Sequence, residues 1–240
     1  AINSGLLILS QTESELASVV AHEISHVSQR HIARRYARQQ KLSVVNTIAL
    51  LGTVLATIYG GEAGQAAGTA TLGAFQDASL SYSRAFEQEA DRIGMSLLIN
   101  ANLDPFGMPR FFERLNAHSQ INQSQVPEFL RSHPLTTSRI SDSKIRAEQF
   151  SNHRYIEDTV HFQYAKARAI GISSDPSALA KHYQKLIDEE PNNLNYYIYS
   201  IALNRLARGK QALQALDKIN PNNNERFPVQ IARAQAYIVD

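Results

Sequence analysis

The chain has 240 residues, 43% of them hydrophobic and 19% charged, which is the balance of a globular protein with room for two modest domains and not that of a disordered chain. A formal net charge of +2 gives no strong partner field, and aromatic residues are not interleaved with basic ones, so no nucleic-acid partner is expected. The absence of cysteine excludes a disulfide framework and any thiolate-bound metal.

The first segment, Asn3-Ser4-Gly5-Leu6-Leu7-Ile8-Leu9, reads as a turn and a short buried strand. No signal-peptide pattern precedes it. Thr12 and Glu15 then form a capping box. Leu16, Val19, Val20, Ile24 and Val27 recur at helical spacing, and no Pro or Gly interrupts Thr12 to Gln40. Within this helix stands His22-Glu23-Ile24-Ser25-His26, an HExxH pattern. Four residues are a little over one helical turn, so the two imidazoles share a face and can bind one ion together. Glu23 then lies beside an open coordination position, where it can take a proton from water. The plainer alternative is two surface histidines on an ordinary amphipathic helix. The basic residues Arg30, Arg34, Arg35, Arg38 and Lys41 read as a solvated helix end, with an anionic membrane surface as the other reading.

Residues 42–61 carry no charge and are numerous enough to span a bilayer. Ser43, Asn46, Thr47, Thr53 and Thr57 dilute the run, Gly60-Gly61 ends it, and Gly64 to Ala74 is too weakly apolar to return as a second span. An apolar helical hairpin covering the HExxH site is expected here, with membrane-surface contact through 42–61 left open.

A catalytic zinc takes three protein ligands and keeps a fourth position for water. Without cysteine, the third must be His, Glu or Asp. Ser83 to Gly94 is the best candidate segment, since Glu87 and Asp91 are four apart and share a helix face. Ala90 and Gly94 lie on nearly the same face, and their small size would let this helix approach the HExxH helix. Asp91 would then accept a hydrogen bond from the free nitrogen of a ligand histidine. Alone, a Glu and an Asp at this spacing more often mark a solvated face. The small residues and the upstream HExxH favour the ligand reading. Glu89, two residues from Glu87, points elsewhere and ranks below it.

Further along, Pro134 biases His133 away from helix and onto a loop. His31, His118, His153, His161 and His182 fit no ligand spacing and read as structural or surface residues. After Phe150 the pattern becomes paired helices: Val160 to Ile170, Pro176 to Glu190, Leu194 to Arg208, Gln211 to Ile219, and Val229 onward. Pro191 and Pro221 punctuate them at an interval close to the period of TPR repeats. A generic helical bundle is the alternative. Tyr183, Tyr196, Tyr197 and Tyr199 fall either on a concave binding face or among packing residues.

HEISH followed by SRAFEQEADRIG resembles the HtpX-like gluzincin peptidases, whose pattern is HExxH followed by ExxxD. SELASVVAHEISHVSQRH and RSHPLTTSRI are similar to the periplasmic BepA-type metalloproteases of that family, which carry a C-terminal TPR domain. The resemblance covers residues 1–150 for the peptidase and, more loosely, 155–240. It implies one zinc ion per chain held by His22, His26 and Glu87, with Glu23 as general base and Asp91 as a supporting or proton-donating residue. In the family the His-Pro segment lies near the active site. His133 is therefore expected either to occupy the vacant zinc position in a closed state or to donate a hydrogen bond to the tetrahedral intermediate.

The fold class expected is mostly α: an α+β, zincin-like gluzincin domain with a small sheet over 1–150, then an α-solenoid TPR-like domain over 155–240. By the same resemblance the peptidase domain is expected to lack its beginning, and because Ile231 to Asp240 stops within a helical pattern the repeat domain is expected to be truncated, so that the chain reads as part of a mature protein. The implied function is a periplasmic zinc endopeptidase in quality control of outer-membrane protein assembly, degrading misassembled proteins and aiding assembly as a chaperone. Its implied partners are unfolded or stalled outer-membrane β-barrel proteins and their assembly machinery. The alternatives are a substrate-binding TPR chaperone with a latent or self-inhibited zinc site, and a membrane-integral zinc peptidase.

Overall fold

The computed structural model describes residues 4–40, 51, 83–121, 128–152, 154–220, 222 and 226–240. They form helices joined by turns, with no strand among the described residues. In chain order these are α1 (Ser4–Leu9), α2 (Glu13–Ser28), α3 (31–40), α4 (83–100), α5 (Gly107–Ile121), α6 (Glu128–Ser132), α7 (Thr137–Glu148), α8 (Val160–Ser173), α9 (Pro176–Glu189), α10 (Asn193–Arg205), α11 (Gly209–Leu216) and α12 (Phe227–Val239). Two compact units emerge, one of Ala1–Leu16 with Glu157–Asp240 and one of Ala17–Ile156.

In the first unit, the short buried strand expected before Ser10 is instead helix α1, and none of its residues is buried. An apolar run of four residues is too short for periodicity to choose between strand and helix. No strand among the described residues could pair with it, and an unpaired strand leaves its backbone groups unbonded. A helix closes them internally, and the Ser10 amide and hydroxyl both donate to the Leu6 carbonyl, at 2.9 and 2.7 Å. The small sheet is likewise not found among the described residues. α1 packs on α8, where Lys166 Nζ donates to the Ser10 carbonyl at 2.6 Å.

The later helices start where polar caps allow. The side chains of Thr159, Asp175 and Asn192 each accept from the backbone N–H three residues on, opening α8, α9 and α10. α10 is the hub, packed by α8, α9, α11 and α12. Tyr197, Ile201, Leu216 and Val229 fill the core between them. Tyr197 is thus a packing residue, and Tyr183, Tyr196 and Tyr199 lean against the same core.

The second unit carries the HExxH motif, on the part of α2 from Ala17 onward, and the start of that helix belongs to the first unit. The Thr12 hydroxyl accepts from the Glu15 amide at 3.2 Å, and Glu15 accepts from the Gln11 amide at 2.7 Å, which closes the N-terminus of α2. The buried face of the helix runs through Ser18, Val19, Ala21, His22 and Ser25, while Ile24 and Val27 are exposed. The apolar repeat therefore marks the packed face only in part, since Val19 is buried and Ile24 and Val27 are not. That face must be narrow, because α4 crosses it closely. A Cβ built on Gly94 would sit 3.1 Å from the His22 backbone nitrogen and 3.2 Å from the Ala21 carbonyl carbon. Ala90, one turn earlier, is fully buried. Met95, Leu98, Met108, Phe112 and Ala147 complete the core around Ala21.

The uninterrupted run from Thr12 to Gln40 is broken without Gly or Pro. Arg30 adopts φ 53° and separates α2 from α3. No helix among the described residues is long and apolar enough to cross a membrane. The hairpin expected over 42–61 lies, Leu51 apart, outside the described residues.

Gly94 yields the first prediction. A Gly94→Val substitution places two further methyl groups against backbone that cannot retreat. A loss of about 1–3 kcal/mol is expected, read as a lowered denaturation midpoint. An unchanged midpoint would mean that the two helices are not in this contact.

Candidate metal centre

α2 supplies His22, Glu23 and His26, and α4 supplies Glu87, Glu89 and Asp91. The short α6 ends just before His133, and α7 begins just after Thr136, whose hydroxyl accepts from the Arg139 amide. One donor atom from each of His22, His26, Glu87 and His133 lies within 4.8 Å of the others. His22 Nε2 is 2.9 Å from His26 Nε2, 3.3 Å from His133 Nδ1 and 3.4 Å from Glu87 Oε2. Glu87 Oε1 is 3.4 Å from His26 Nε2, and Glu87 Oε2 is 3.1 Å from His133 Nδ1.

These separations can be tested against a metal. Ligands about 2.0–2.1 Å from a tetrahedral zinc ion stand roughly 3.3 Å from one another. The observed spacings of 2.9–3.4 Å bracket that value. Imidazole nitrogens with a carboxylate are also the donor set that zinc accepts without thiolates. The residues present fit the ion.

The expected supporting residue falls in reach. Asp91 Oδ1 lies 2.9 Å from His22 Nδ1, the nitrogen on the far side of the ring from the cluster. Glu23 is half-exposed, and its Oε1 is 3.3 Å from His133 Nε2. The ring of His133 stacks on Phe129, centroid to centroid 4.9 Å.

Two residues in this neighbourhood are nominated by no ligand spacing, although both stand in the segments that carry the family resemblance, Arg139 in RSHPLTTSRI and His31 at the end of SELASVVAHEISHVSQRH. Arg139 is buried and donates to both oxygens of Asp91, Nε to Oδ2 and Nη2 to Oδ1, each at 2.7 Å. Its Nη1 also donates to the Pro134 carbonyl at 2.9 Å and lies 3.0 Å from Glu87 Oε2. One guanidinium thereby ties Glu87 and Asp91 to the backbone beside His133. Two buried carboxylates demand a cation, but nothing in the spacing says which of the 24 Lys and Arg residues supplies it. The second is His31, read from sequence as structural or surface. It is buried, with Nδ1 2.8 Å from His26 Nδ1 and Nε2 3.2 Å from Glu89 Oε2. Arg34, part of the basic run read as solvated, donates to the same Glu89 oxygen at 3.0 Å.

The electrostatics follow from burial and these partners. Burial works against protonation of His22, but its hydrogen bonds to Asp91 and Glu87 prevail and hold its pKa above the ordinary 6.5. Burial, reinforced by the neighbouring His22, brings His26 from 6.5 down to about 4. Burial also lowers His31 despite Glu89. Burial would raise Glu87, yet hydrogen bonds to His133 and His22 and the Arg139 charge hold it well below the usual carboxylate range. Asp91 is held low against burial in the same way, by Arg139 and His22.

Comparison with known proteins adds the family. A model described as Peptidase family M48 matches residues 1–147. A beta-barrel assembly-enhancing protease of Yersinia pestis is 41% identical over 171 residues, covering 71% of this chain and 35% of that protein. One of Escherichia coli strain K12 is 37% identical over 216 residues, 90% of this chain and 42% of that protein. The mitochondrial metalloendopeptidase OMA1 of Saccharomyces cerevisiae is 33% identical over 144 residues, 59% of this chain and 39% of that protein. The chain spans less than half the length of these relatives.

The two ligand-face histidines predict a pH profile for the metal-free protein. His26 has a folded pKa of about 4 against 6.5, so within that window the unfolded chain binds more protons and stability falls as pH drops. His31, also lowered, acts in the same sense. His22 is raised, so its contribution is fully present below its unfolded value and fades as pH rises through its folded one. Stability is expected to peak near about pH 6.5 and to fall by on the order of 2–3 kcal/mol towards about pH 4. Chemical denaturation in the presence of a chelator measures this, and a flat profile across the window contradicts it.

Proposed function

The chain belongs to peptidase family M48, whose members are zinc-dependent, and from that we propose that it is a zinc-dependent endopeptidase with its centre at His22, His26 and Glu87. The observation that carries the reading is the convergence of those three donors at tetrahedral spacing. Zinc, when bound, polarises the scissile carbonyl and lowers the pKa of water. His22 and His26 present their Nε2 atoms to it, and Asp91 fixes the His22 ring by accepting from Nδ1. Glu23 acts as general base, taking a proton from the attacking water and passing it towards the leaving amine. Its half-exposed position on the outer side of α2 leaves room for a substrate.

The family match is consistent with a peptidase domain over 1–150. For 155–240 the reading is a TPR-like repeat domain, supported by the way α10 packs on both helices of the preceding pair and on α11 and α12 that follow. Relatives named beta-barrel assembly-enhancing proteases suggest the setting. It is a periplasmic enzyme in quality control of outer-membrane protein assembly. It acts on unfolded or stalled β-barrel proteins, alongside their assembly machinery, and also aids assembly as a chaperone.

His133 supports a second reading, a chaperone whose zinc site is self-inhibited. Its Nδ1 stands where a fourth ligand would stand, which favours occupation of the open position in a closed state over a role in stabilising the intermediate.

Two variants separate these readings. Glu23→Gln is expected to retain one zinc per chain and to lose at least about 100-fold of the cleavage of an unfolded protein. Metal analysis alongside a digestion assay reads both, and wild type without zinc sinks the site. His133→Ala is expected to keep zinc near one per chain and to cleave faster, about tenfold or more if the closed state dominates. Unchanged cleavage removes His133 from the mechanism.

A further inference from the structure

We propose that His31 is a positioning residue for the metal centre, fixing with Glu89 the tautomer and ring orientation of His26 so that His26 Nε2 offers its lone pair to the metal. The inference rests on the zinc-centre reading and adds a residue that HExxH and ExxxD do not contain.

The hydrogen-bond chain has one consistent direction. Glu89 Oε2 already accepts from Arg34 Nη1 at 3.0 Å, and a carboxylate so paired can only accept. His31 Nε2, 3.2 Å from Glu89 Oε2, must therefore carry the proton and donate. A neutral imidazole has one N–H, so His31 Nδ1 is left with a lone pair. His26 Nδ1 lies 2.8 Å away and must be the donor to it. His26 Nε2 is then the atom without a proton. It is this atom that faces His22 Nε2 at 2.9 Å and Glu87 Oε1 at 3.4 Å.

The ring of His31 is also prevented from turning. It is 2% exposed and stacks on Phe86, with centroids 4.3 Å apart and planes within 18°. His31 is not itself placed as a ligand. Its near nitrogen points at the Nδ1 side of His26, away from the cluster. The backbone explains why the spacing hides the contact. On an unbroken helix, five residues rotate a side chain by about 140° relative to its partner, so His31 would face away from His26. The left-handed Arg30 between them redirects the chain and brings the rings together. Each HExxH histidine is thus backed by a carboxylate of α4, His22 directly by Asp91 and His26 through His31 by Glu89.

The test uses the chain with zinc in competition with a chromophoric chelator, and the thermal midpoint of the metal-free protein. His31→Phe keeps an aromatic ring on Phe86 and removes both nitrogens. His31→Asn supplies an amide oxygen able to accept where Nδ1 accepts. The Phe variant is expected to bind zinc 10- to 100-fold more weakly, with its metal-free midpoint little changed, and the Asn variant to recover much of that loss. Nitrogen chemical shifts of the wild-type protein with zinc should place the His31 proton on Nε2 and the His26 proton on Nδ1. Zinc binding by His31→Phe equal to wild type, no recovery in His31→Asn, or a His31 proton on Nδ1 would overturn the proposal. His26→Ala separates the two levels. No zinc in wild type defeats the metal-centre reading itself. Zinc in wild type that is lost in His26→Ala and retained in His31→Phe defeats only the role of His31.

Discussion

The approach of α4 to the backbone of α2 is the constraint on which the rest depends. Carboxylate side chains on one helix reach imidazoles on another only when the backbones come close. Gly94 and Ala90 allow that approach, since a Cβ on Gly94 would stand only 3.1 Å from the His22 nitrogen. The serines and alanine on the facing side of α2 serve the same end, and Ser25 satisfies its own buried hydroxyl by donating to the Ala21 carbonyl at 2.7 Å. The packing face is therefore chosen for smallness, and large apolar residues such as Ile24 and Val27 are left on the outside.

Close approach creates an electrostatic problem that Arg139 solves in part. Glu87 and Asp91 are both buried, and burial pushes the pKa of each up. The guanidinium holds both ionised, spending two of its donors on Asp91 and directing a third towards Glu87 and the Pro134 carbonyl. Asp91 is thereby kept as an acceptor for His22. Glu87 still faces three imidazole nitrogens, a group of lone pairs that a divalent cation would complete.

How much of this was legible follows from range. Contacts set by one helical turn could be read: the capping of α2, the shared face of His22 and His26, and the shared face of Glu87 and Asp91. The small residues at 90 and 94 also predicted the close crossing. His133 could be nominated only through the family resemblance, since no spacing ties a loop residue to a helix so distant in sequence. Arg139 stands in the same segment, RSHPLTTSRI, on α7, but no spacing ties it to carboxylates so distant in sequence. His31 was hidden by a backbone feature with no residue signature, because Arg30 takes a conformation usually left to Gly or Asn. The apolar run at 6–9 was misread because four residues do not distinguish the two periodicities.

The placement of three carboxylates within five residues of α4 has a mechanical consequence. Glu87 faces the cluster, Asp91 backs one histidine, and Glu89, about 200° round the helix from either, reaches the other through an intermediate ring. A helix moves as a rigid body, so a slide or rotation of α4 against α2 disturbs all three recipients in the same step. A displacement of α4 therefore withdraws support from both histidines together. Opening of the centre should be cooperative, with α2 and α4 separating as a single unit.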